Sequence, residues 1–465
     1  MRVCMNEVSL TGSSQRLRRT GRPSKASLLA AVRTLAAIGA LAAVGTVAPA
    51  NVSPARAQSA EQPLPSIAQD RGVRTGEFTL YPSFGVAGHH DTNLFNGNNE
   101  ENNRPIGATS VRFAPRLSLS NDPNSNIAFS FNGTGDLRLF LSDSAAVTQQ
   151  DGVGGGIGLN VTFGQRRSFS LTMFNNFNRA LRAPNWEINS TLDRISNDVG
   201  ARVEFHPGDI PERRPLNLAL GASWGVDLFD FFPGGDTATI RTKLAGSWRF
   251  LPKTAAIIDA TWDFRSYANS SLTSQNLAAD SQPFRVKVGL NGALTKRLTA
   301  TALAGWGLSN HAAGAKYNGF LASVGLGLRA SESTRVFLGY DHDFSDSFIG
   351  NFGGYHRIGF NLKQRFGQVM DVTAQFATRF IEYGAFKPIG GLVKLDGTCD
   401  CRRDTGLEGG VNANFDVARL IGMNIGWTMR SVLTNFKVVA SDKKTILDSG
   451  AFTAHEIFAA VTLRY

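Results

Sequence analysis

The feature that most constrains this chain is a strict alternation of apolar and polar residues, which recurs from residue 77 to the C-terminus. In one segment Val111, Phe113 and Leu117 alternate with Arg112 and Arg116. Because successive side chains of a β-strand point to opposite faces, each such segment predicts a strand with one apolar and one polar face. The pattern predicts eighteen strands, with sixteen as the alternative, and sustained helical periodicity is absent from the sequence.

The connections between the predicted strands alternate in length. Nine long connections and eight short ones follow each other in turn, which places both ends of the domain on the short side. This arrangement is typical of an up-and-down antiparallel sheet that closes on itself. Short turns on one side and long loops on the other are typical of outer-membrane barrels. The predicted fold is therefore all-β, a closed antiparallel up-and-down transmembrane β-barrel over residues 77–465.

Two features favour a membrane barrel over a soluble β-sandwich. The apolar face is almost free of charge, and a charge that faces lipid near the midplane costs about 2–4 kcal/mol. Lipid cannot hydrogen-bond the backbone, so strands cross it only as closed barrels. Aromatic residues also fit two interfacial girdles, with Tyr81, Phe163, Phe205, Phe250, Phe366 and Phe415 near the short turns and Phe264, Tyr267, Tyr340, Phe380 and Trp427 near the long loops.

Residues 1–57 have the pattern of a cleaved signal peptide. A basic segment precedes an apolar stretch from Thr34 to Ala48, and Ala55-Arg56-Ala57 is a small-x-small cleavage site. A transmembrane anchor is the alternative, but Arg33 leaves an apolar stretch shorter than the roughly 20 residues that a helical span needs. After cleavage, residues 58–76 are expected to form a polar periplasmic tail.

The charge of the chain is concentrated in this leader. The formal net charge is +11 for 465 residues, and the leader supplies eight basic residues and one acidic residue. The mature chain therefore carries only +4 and lacks the clustered basic face of a nucleic-acid-binding protein. Nucleic acid is excluded as a partner class.

Several short motifs suggest chemistry but have simpler explanations. The glycine-rich run Gly152–Gly158 leads into strand residues rather than the helix that a phosphate-binding loop precedes. The oxygen-rich segment 91–101 has two readings, a calcium site or an ordinary solvated loop. Cys399 and Cys401 either form a small disulfide or stay unpaired, and with three cysteines the chain is not a disulfide scaffold.

The histidines and serines show no spacing that fixes a catalytic triad. We therefore predict no catalytic residue, no metal and no cofactor, and expect a protein that is not an enzyme. A barrel hydrolase is kept as the least favoured alternative.

The polar faces of the strands are the place where a solute would meet the protein. Both signs of charge occur there, and a small basic excess predicts at most a mild preference for anions. Many of these groups are expected to pair across strands. The candidate lumen-lining residues are Arg112, Arg116, Asp136, Arg138, Lys243, Asp259, Asp263, Arg265, Arg285, Lys287, Arg329, Lys363, Arg365 and Arg430.

Two ends of the domain carry a family resemblance. The last strand has an aromatic terminus preceded by apolar residues at every second position (Ile457, Ala459, Val461, Leu463 and Tyr465), and it resembles the assembly signal of bacterial outer-membrane proteins. The segments Tyr81–Val86 and His90–Phe95 resemble the opening of the beta-barrel porin family of Gram-negative outer membranes, although His90-Asp91 replaces the family's frequent acidic pair.

This resemblance implies an outer-membrane channel, and some family members are associated with polysaccharide export. The expected function is passive diffusion of small hydrophilic solutes, with polysaccharide export as the alternative. The expected partners are outer-membrane lipid and the barrel-assembly machinery, while the oligomeric state is left open. The length of the mature chain does not allow a plugged transporter of 22 strands.

Overall fold

Eighteen long β-strands form the structure, a computed structural model that describes residues 72–98, 104–122, 125–183, 187, 192–208, 215–230, 235–268, 279–347, 350–384, 392–395, 401–439, 446–448 and 450–465. The strands are β1 (Phe78–Asp91), β2 (Ala108–Asn121), β3 (Ile127–Phe140), β4 (Gly152–Phe163), β5 (Phe169–Ala183), β6 (Leu192–Phe205), β7 (Leu216–Phe229), β8 (Thr237–Leu251), β9 (Thr254–Tyr267), β10 (Ser281–Ala293), β11 (Leu298–His311), β12 (Tyr317–Arg329), β13 (Thr334–Asp346), β14 (Phe352–Phe366), β15 (Met370–Gly384), β16 (Arg403–Ala418), β17 (Ile421–Thr434) and β18 (Phe452–Arg464).

Each strand pairs antiparallel with its neighbours in the sequence, and β18 pairs with β1 to close the sheet. The closing ladder runs from Ser83 opposite Arg464 to Asp91 opposite Glu456. The predicted eighteen-stranded antiparallel barrel is therefore confirmed, and the sixteen-stranded alternative is wrong. The glycine-rich run is part of β4, as its alternation suggested.

The outer face of the wall is apolar. Large apolar side chains on one parity of each strand stay exposed, among them Trp248, Phe320 and Ile457, each about half exposed or more. Closure leaves no sheet edge on most of the circumference, so the backbone groups are satisfied by neighbouring strands. The wall thus has the two properties that a bilayer-spanning sheet needs, an apolar belt and a paired backbone.

The short turns lie at one end of the barrel. Gly164 and Gly367 occupy two of these turns with φ of 69° and 61°, a conformation that glycine adopts without strain. Before β1, the short strand Val73–Thr75 folds back on Phe78–Leu80, so the last residues of the expected tail are a β-hairpin. The expected signal peptide and the remainder of the expected tail lie outside the described residues.

The long connections lie at the other end and carry further structure. A short helix α1 (Ala145–Thr148) lies between β3 and β4. Three short strands, Leu392–Leu395, Phe436–Val439 and Ile446–Asp448, form a separate small sheet. No helix of the described residues is long and apolar enough to cross a membrane.

Two ladders of the wall stop before their strands end. The shorter gap lies between β4 and β5, where the pairing ends at Gly155 opposite Arg179, and the longer one, which we call the seam, lies between β12 and β13. The pairing between β12 and β13 ends at Ala322 opposite His342, although both strands continue toward the long loops. Above that pair, β12 stays paired with β11, while β13 stays paired with β14. The upper ends of these two strands therefore separate.

Candidate functional site: the barrel lumen

The inner face of the wall carries ion-paired side chains. Cross-strand pairing and the exposed apolar parity together fix which residues point inward. All fourteen predicted lumen residues stand on the face opposite the apolar belt, namely Arg112, Arg116, Asp136, Arg138, Lys243, Asp259, Asp263, Arg265, Arg285, Lys287, Arg329, Lys363, Arg365 and Arg430. Their part in transport remains a proposal.

One group of charges lines the wall from β1 to β5, and we call Asp91, Arg112, Asp136, Arg138 and Arg182 the β1–β5 cluster. Arg112 donates from Nε and Nη2 to the two oxygens of Asp136, at 2.5 and 2.7 Å. Arg138 Nη2 lies 3.6 Å from the same carboxylate. Arg182 Nη2 donates to Asp91 Oδ2 at 3.1 Å. The bidentate geometry fixes the Arg112 guanidinium against the wall.

A loop segment folds onto this side of the lumen. Leu94 is fully buried and packs with Ala108, Phe140 and Val147, the last of which belongs to α1. Ala108 and Phe140 stand on the inward parity of β2 and β3, so the segment covers the inner surface of the wall. Arg182 Nη2 also donates to the carbonyl oxygen of Leu94 at 2.6 Å. Apolar packing thus narrows the lumen beside β1–β5.

A second group of charges, which we call the β9–β13 cluster, consists of Asp263, Arg265, Arg285, Lys287, Asp343 and Asp346. Lys287 Nζ lies 2.5 Å from Asp343 Oδ2, and Arg285 Nε lies 3.1 Å from Asp343 Oδ1. Lys287 is only 2% exposed, which for a lysine requires a charged partner.

The same cluster continues to β9. Arg265 donates from Nη2 to Asp263 Oδ2 at 3.0 Å, and its Nη1 lies 3.2 Å from Asp346 Oδ2. Ser281 Oγ donates to Asp346 at 2.5 Å. Two carboxylates of β13 are therefore bound to cations of β9 and β10, three or four strands away in the wall.

The remaining predicted lumen residues lie nearer the short turns or on the other strands. Lys243 pairs with Asp259 at 3.2 Å, and Lys363 and Arg365 approach Asp371 at 3.7 and 3.0 Å. Arg116, Arg329 and Arg430 stand opposite Thr134, Arg335 and Glu408 in the ladders. These positions spread the candidates along the whole length of the barrel instead of concentrating them in one site.

The third long connection reaches the opposite wall. Glu187 lies between β5 and β6, yet its carboxylate accepts a hydrogen bond from Ser347 Oγ at 2.9 Å. Its carbonyl oxygen accepts from Arg402 Nη1, also at 2.9 Å. Ser347 follows β13 and Arg402 precedes β16, about half of the ring away from β5 and β6. Glu187 is therefore bound across the mouth of the barrel from the two strands that flank it in the sequence.

Arg402 anchors that crossing. Its guanidinium is 2% exposed, lies over the rings of Tyr383 and Phe436 at 5.2 and 5.0 Å, and pairs with Asp404 at 2.7 Å. Burial opposes the charged form, but the Asp404 carboxylate outweighs it and raises the pKa of Arg402. The anchor therefore keeps its positive charge across the accessible pH range.

Sequence reasoning misplaced two inward-facing residues and missed others. Tyr81 was assigned to the outer aromatic girdle, but it stands opposite Ser118, on the parity of β1 that faces away from the exposed Phe84. Tyr267 was assigned to the outer aromatic girdle, but it is 5% exposed and its hydroxyl approaches Asp346 at 3.5 Å. Its odd number already separates it from the exposed, even-numbered Trp262 of the same strand, so parity could have placed it inside. Glu187 and Phe344 gave no such signal, because their contacts depend on distant segments.

Among the described residues, one buried pair of a serine and a histidine lies at the end of the barrel that carries the long loops. A barrel hydrolase would have its catalytic residues near that rim. Ser309 Oγ and His311 Nε2 are 3.0 Å apart. The Nδ1 atom of His311 has no hydrogen-bond partner among the described residues, so the pair lacks the orienting acid of a triad.

In the described part of the candidate calcium segment 91–101, the polar groups bind other groups of the protein. Asp91 binds Arg182 and accepts from the backbone N–H of Asn93, and Asn93 in turn donates to the carbonyl of Gly97. No group of three or more metal-ligating side chains occurs among the described residues. Residues 99–101 lie outside them. Cys401 is disulfide-bonded, and Cys399 lies outside the described residues.

The fold defines the class of this protein as an eighteen-stranded up-and-down barrel. No family model matches the sequence, and no curated protein matches it. Among solved structures it is similar to Acinetobacter baumannii OccAB3, with 12% identity over 84% of this chain and 100% of that one and a TM-score of 0.47.

Two structures from Pseudomonas aeruginosa show a similar likeness. OpdQ has 10% identity over 83% of this chain and 98% of its own, with a TM-score of 0.46. OccK2 (OpdF), in complex with glucuronate, has 12% identity over the same shares, with a TM-score of 0.45.

Proposed function

We propose that this protein is an outer-membrane channel for the passive diffusion of small hydrophilic solutes. The observation that carries the proposal is the opposite chemistry of the two faces of one closed wall. Apolar side chains stay exposed around the outside, while charged side chains line the inside. Such a wall is stable where hydrocarbon surrounds it and water fills it, and eighteen strands enclose a lumen wide enough for an aqueous path.

The cellular location follows from the same reading. The expected signal peptide of residues 1–57 would export the chain, and the outer membrane of a Gram-negative bacterium is where such a barrel belongs. The exposed apolar side chains of Ile457, Val461 and Leu463 and the terminal Tyr465 support the expected role of β18 as an assembly signal. The path requires no chemical step, so we infer that the protein is not an enzyme and uses no cofactor.

Planar-bilayer recording tests the proposal. The full chain is expressed in a Gram-negative host, purified from the outer-membrane fraction and added to the bilayer, and N-terminal sequencing checks for processing before Gln58. We expect discrete current steps in potassium chloride and partial blockade by small hydrophilic solutes. Correctly folded protein that gives no current steps would refute the channel. Blockade by long glycans but not by monosaccharides would favour the polysaccharide alternative.

A further inference from the structure

The seam between β12 and β13 leaves part of the wall without its second partner. In β12, residues Tyr317–Leu321 pair with β11, and the described structure shows no ladder on the β13 side. In β13, residues Asp343–Asp346 pair with β14 alone. Unpaired strand edges are rare in a barrel, because closure normally removes them.

The free edge of β13, residues Asp343–Asp346, lies on the inner surface of other strands. Asp343 binds Lys287 of β10, and Asp346 binds Arg265 of β9. Neighbouring strands are about 4.8 Å apart, so β9 stands roughly 19 Å from β13 along the wall. Even long side chains cannot bridge that distance from within the wall. The edge therefore folds into the lumen and overlaps β10–β12.

As far as Phe344, the sequence of this edge fits the wall that it has left. Leu338, Tyr340 and His342 follow the outward parity of β13, and Phe344 continues it. If the ladder went on beyond Ala322 and His342 in the same register, Phe344 would stand beside the exposed Phe320. Instead, Phe344 is 2% exposed inside the lumen. The unpaired edge of β12 in the wall and the displaced edge of β13 are therefore complementary.

Polar contacts hold the edge in its inner position. Arg285 donates from Nη2 to the carbonyl oxygen of Phe344 at 2.7 Å, and its guanidinium lies 4.0 Å from the centre of the phenyl ring. The backbone N–H of Phe344 donates to Asp343 Oδ1 at 2.8 Å. Backbone groups of Phe344 thus have side-chain partners here, which lowers the cost of leaving the wall.

A small socket receives the Phe344 ring. The ring stacks on Tyr317 with centroids 4.1 Å apart and reaches over Gly307 of β11. A Cβ atom at Gly307 would lie 2.6 Å from the ring, so only glycine admits it at this position. The inner position is thus a docking site whose shape fits the Phe344 ring. The contacts that hold the edge there are non-covalent, so they can be broken reversibly.

We propose that the Asp343–Asp346 edge is a gate, and that it covers an anion-binding site formed by Arg265, Arg285 and Lys287. In the closed state the Asp343 and Asp346 carboxylates occupy this site as built-in ligands. In the open state the edge pairs with Tyr317–Leu321 and leaves the three cations facing the lumen. The inference rests on the proposed channel function and deepens it, because it names the solute class.

The two carboxylates that occupy the site in the closed state indicate the class of solute. The protein's own carboxylates bind at two points, Lys287 with Arg285 and Arg265 with Ser281, so a small dicarboxylate can replace both. Guanidinium groups favour such planar anions through paired hydrogen bonds. When the edge leaves its inner position, Asp263 neutralises only part of the positive charge of Arg265, Arg285 and Lys287. The open gate is therefore selective for anions.

A disulfide trap tests the movement. Gly319 and Ser345 would stand opposite each other in the continued register, and neither one belongs to the ion pairs that hold the edge in its inner position. The atom nearest to a Cβ at Gly319 is the hydroxyl oxygen of Tyr317, at 2.9 Å, so the single variant Gly319→Cys controls for any displacement of Tyr317. We expect the variant G319C/S345C to form this disulfide under mild oxidation, as detected by peptide mass mapping, whereas neither single variant does. An edge that cannot move would leave these two cysteines reduced.

The trapped protein then tests the site. Compared with its reduced form, oxidised G319C/S345C should give larger current steps and a higher chloride-to-potassium permeability ratio. Succinate should bind the oxidised form in calorimetry, and adding Lys287→Gln should weaken that binding about tenfold, the scale of one charge-assisted hydrogen bond. A disulfide that forms without changing the current or succinate binding would overturn the proposal. Mapping and calorimetry need no current, so failure of the channel would be recognised separately.

A second variant weakens the gate without new cysteines. Asp343→Asn removes the charge bound to Lys287 and Arg285, and the fraction of time spent at the larger conductance should rise about tenfold. Asp341→Asn is the matched control, since Asp341 faces inward in the paired part of β13 and accepts a hydrogen bond from Ser323. Equal behaviour of the two variants would contradict the role of Asp343.

Discussion

Two sides of the lumen are narrowed by different means. Beside β1–β5, Leu94 packs into an apolar cluster with Phe140 and Val147, and β1, β2 and β3 behind this cluster keep their ladders up to Asp91 and Ser110. Beside β9–β13, charged side chains hold a strand edge that has left its own ladder.

The difference teaches which side can move. If Leu94 left its cluster, its side chain would be exposed to water and the free energy of apolar burial would be lost. Among the described residues, the wall beside Leu94 has no unpaired edge comparable to that of β12. An ion-paired edge can exchange its carboxylates for solute anions, and its backbone can exchange side-chain partners for a ladder. We infer that the β1–β5 side is a fixed constriction and that the β9–β13 side is the adjustable one.

The largest expected effect separates buried from exposed ion pairs. Lys287→Met leaves Asp343 buried with only Arg285 as its cation, and breaking a buried pair costs about 3–5 kcal/mol. Arg365→Met removes a partner of Asp371 at the exposed turn side, where an ion pair is worth at most about 1 kcal/mol. Urea unfolding in detergent measures both. Similar losses would show that the Lys287 pair is solvated.

The next effect tests the fixed constriction. Leu94→Ala removes buried methyl groups from the cluster with Val147, and we expect a loss of about 2–3 kcal/mol in the free energy of unfolding. Leu141→Ala is the control, since Leu141 is 63% exposed. If Leu94→Ala raised the conductance as much as opening of the β13 edge does, the distinction between the two sides would fail.

The sequence predicted the wall well because a wall of strands is a local pattern. Period-two alternation determines both the number of strands and the face of each residue, so the inward placement of Arg112 and Lys287 required no tertiary information. Alternation cannot report a strand edge that leaves its ladder. Phe344 has outward parity, yet it is buried, because Arg285 and Gly307 on other strands receive it.

Long-range contacts limit the prediction of the lumen in the same way. Glu187 binds Ser347 and Arg402, which are 160 and 215 positions away in the sequence. Neither the spacing nor the residue types around Glu187 indicate these partners. The candidate lumen residues could be assigned to a face, whereas the two constrictions that they border required the tertiary structure.

A smaller effect is expected from filling the socket of the adjustable side. Gly307→Val places side-chain atoms where the Phe344 ring now lies, and overpacking of this kind costs about 1–3 kcal/mol. The cost falls on the closed state alone, so the open conductance level should become more populated in single-channel recordings. Gly88→Val is the matched control, because a Cβ at Gly88 meets nothing within 4 Å. An unchanged open fraction would show that the Phe344 ring does not occupy this socket in the channel that is recorded.

The smallest expected effect concerns selectivity on the fixed side. Asp136→Asn leaves Arg112 and Arg138 with one fewer counter-charge and should raise the permeability of chloride relative to potassium. One unit charge acting across about 8 Å of water is worth about 0.5 kcal/mol, which corresponds to roughly twofold.

Reversal potentials in a potassium chloride gradient measure the effect of Asp136→Asn. Asp416→Asn is the control, because Asp416 is half exposed and pairs with Arg464 near the turn that joins β16 to β17. The fixed side cannot change its shape to compensate, so the effect of Asp136→Asn should stay the same when the G319C/S345C disulfide is closed or open. A dependence on that disulfide would show that the two sides of the lumen move together.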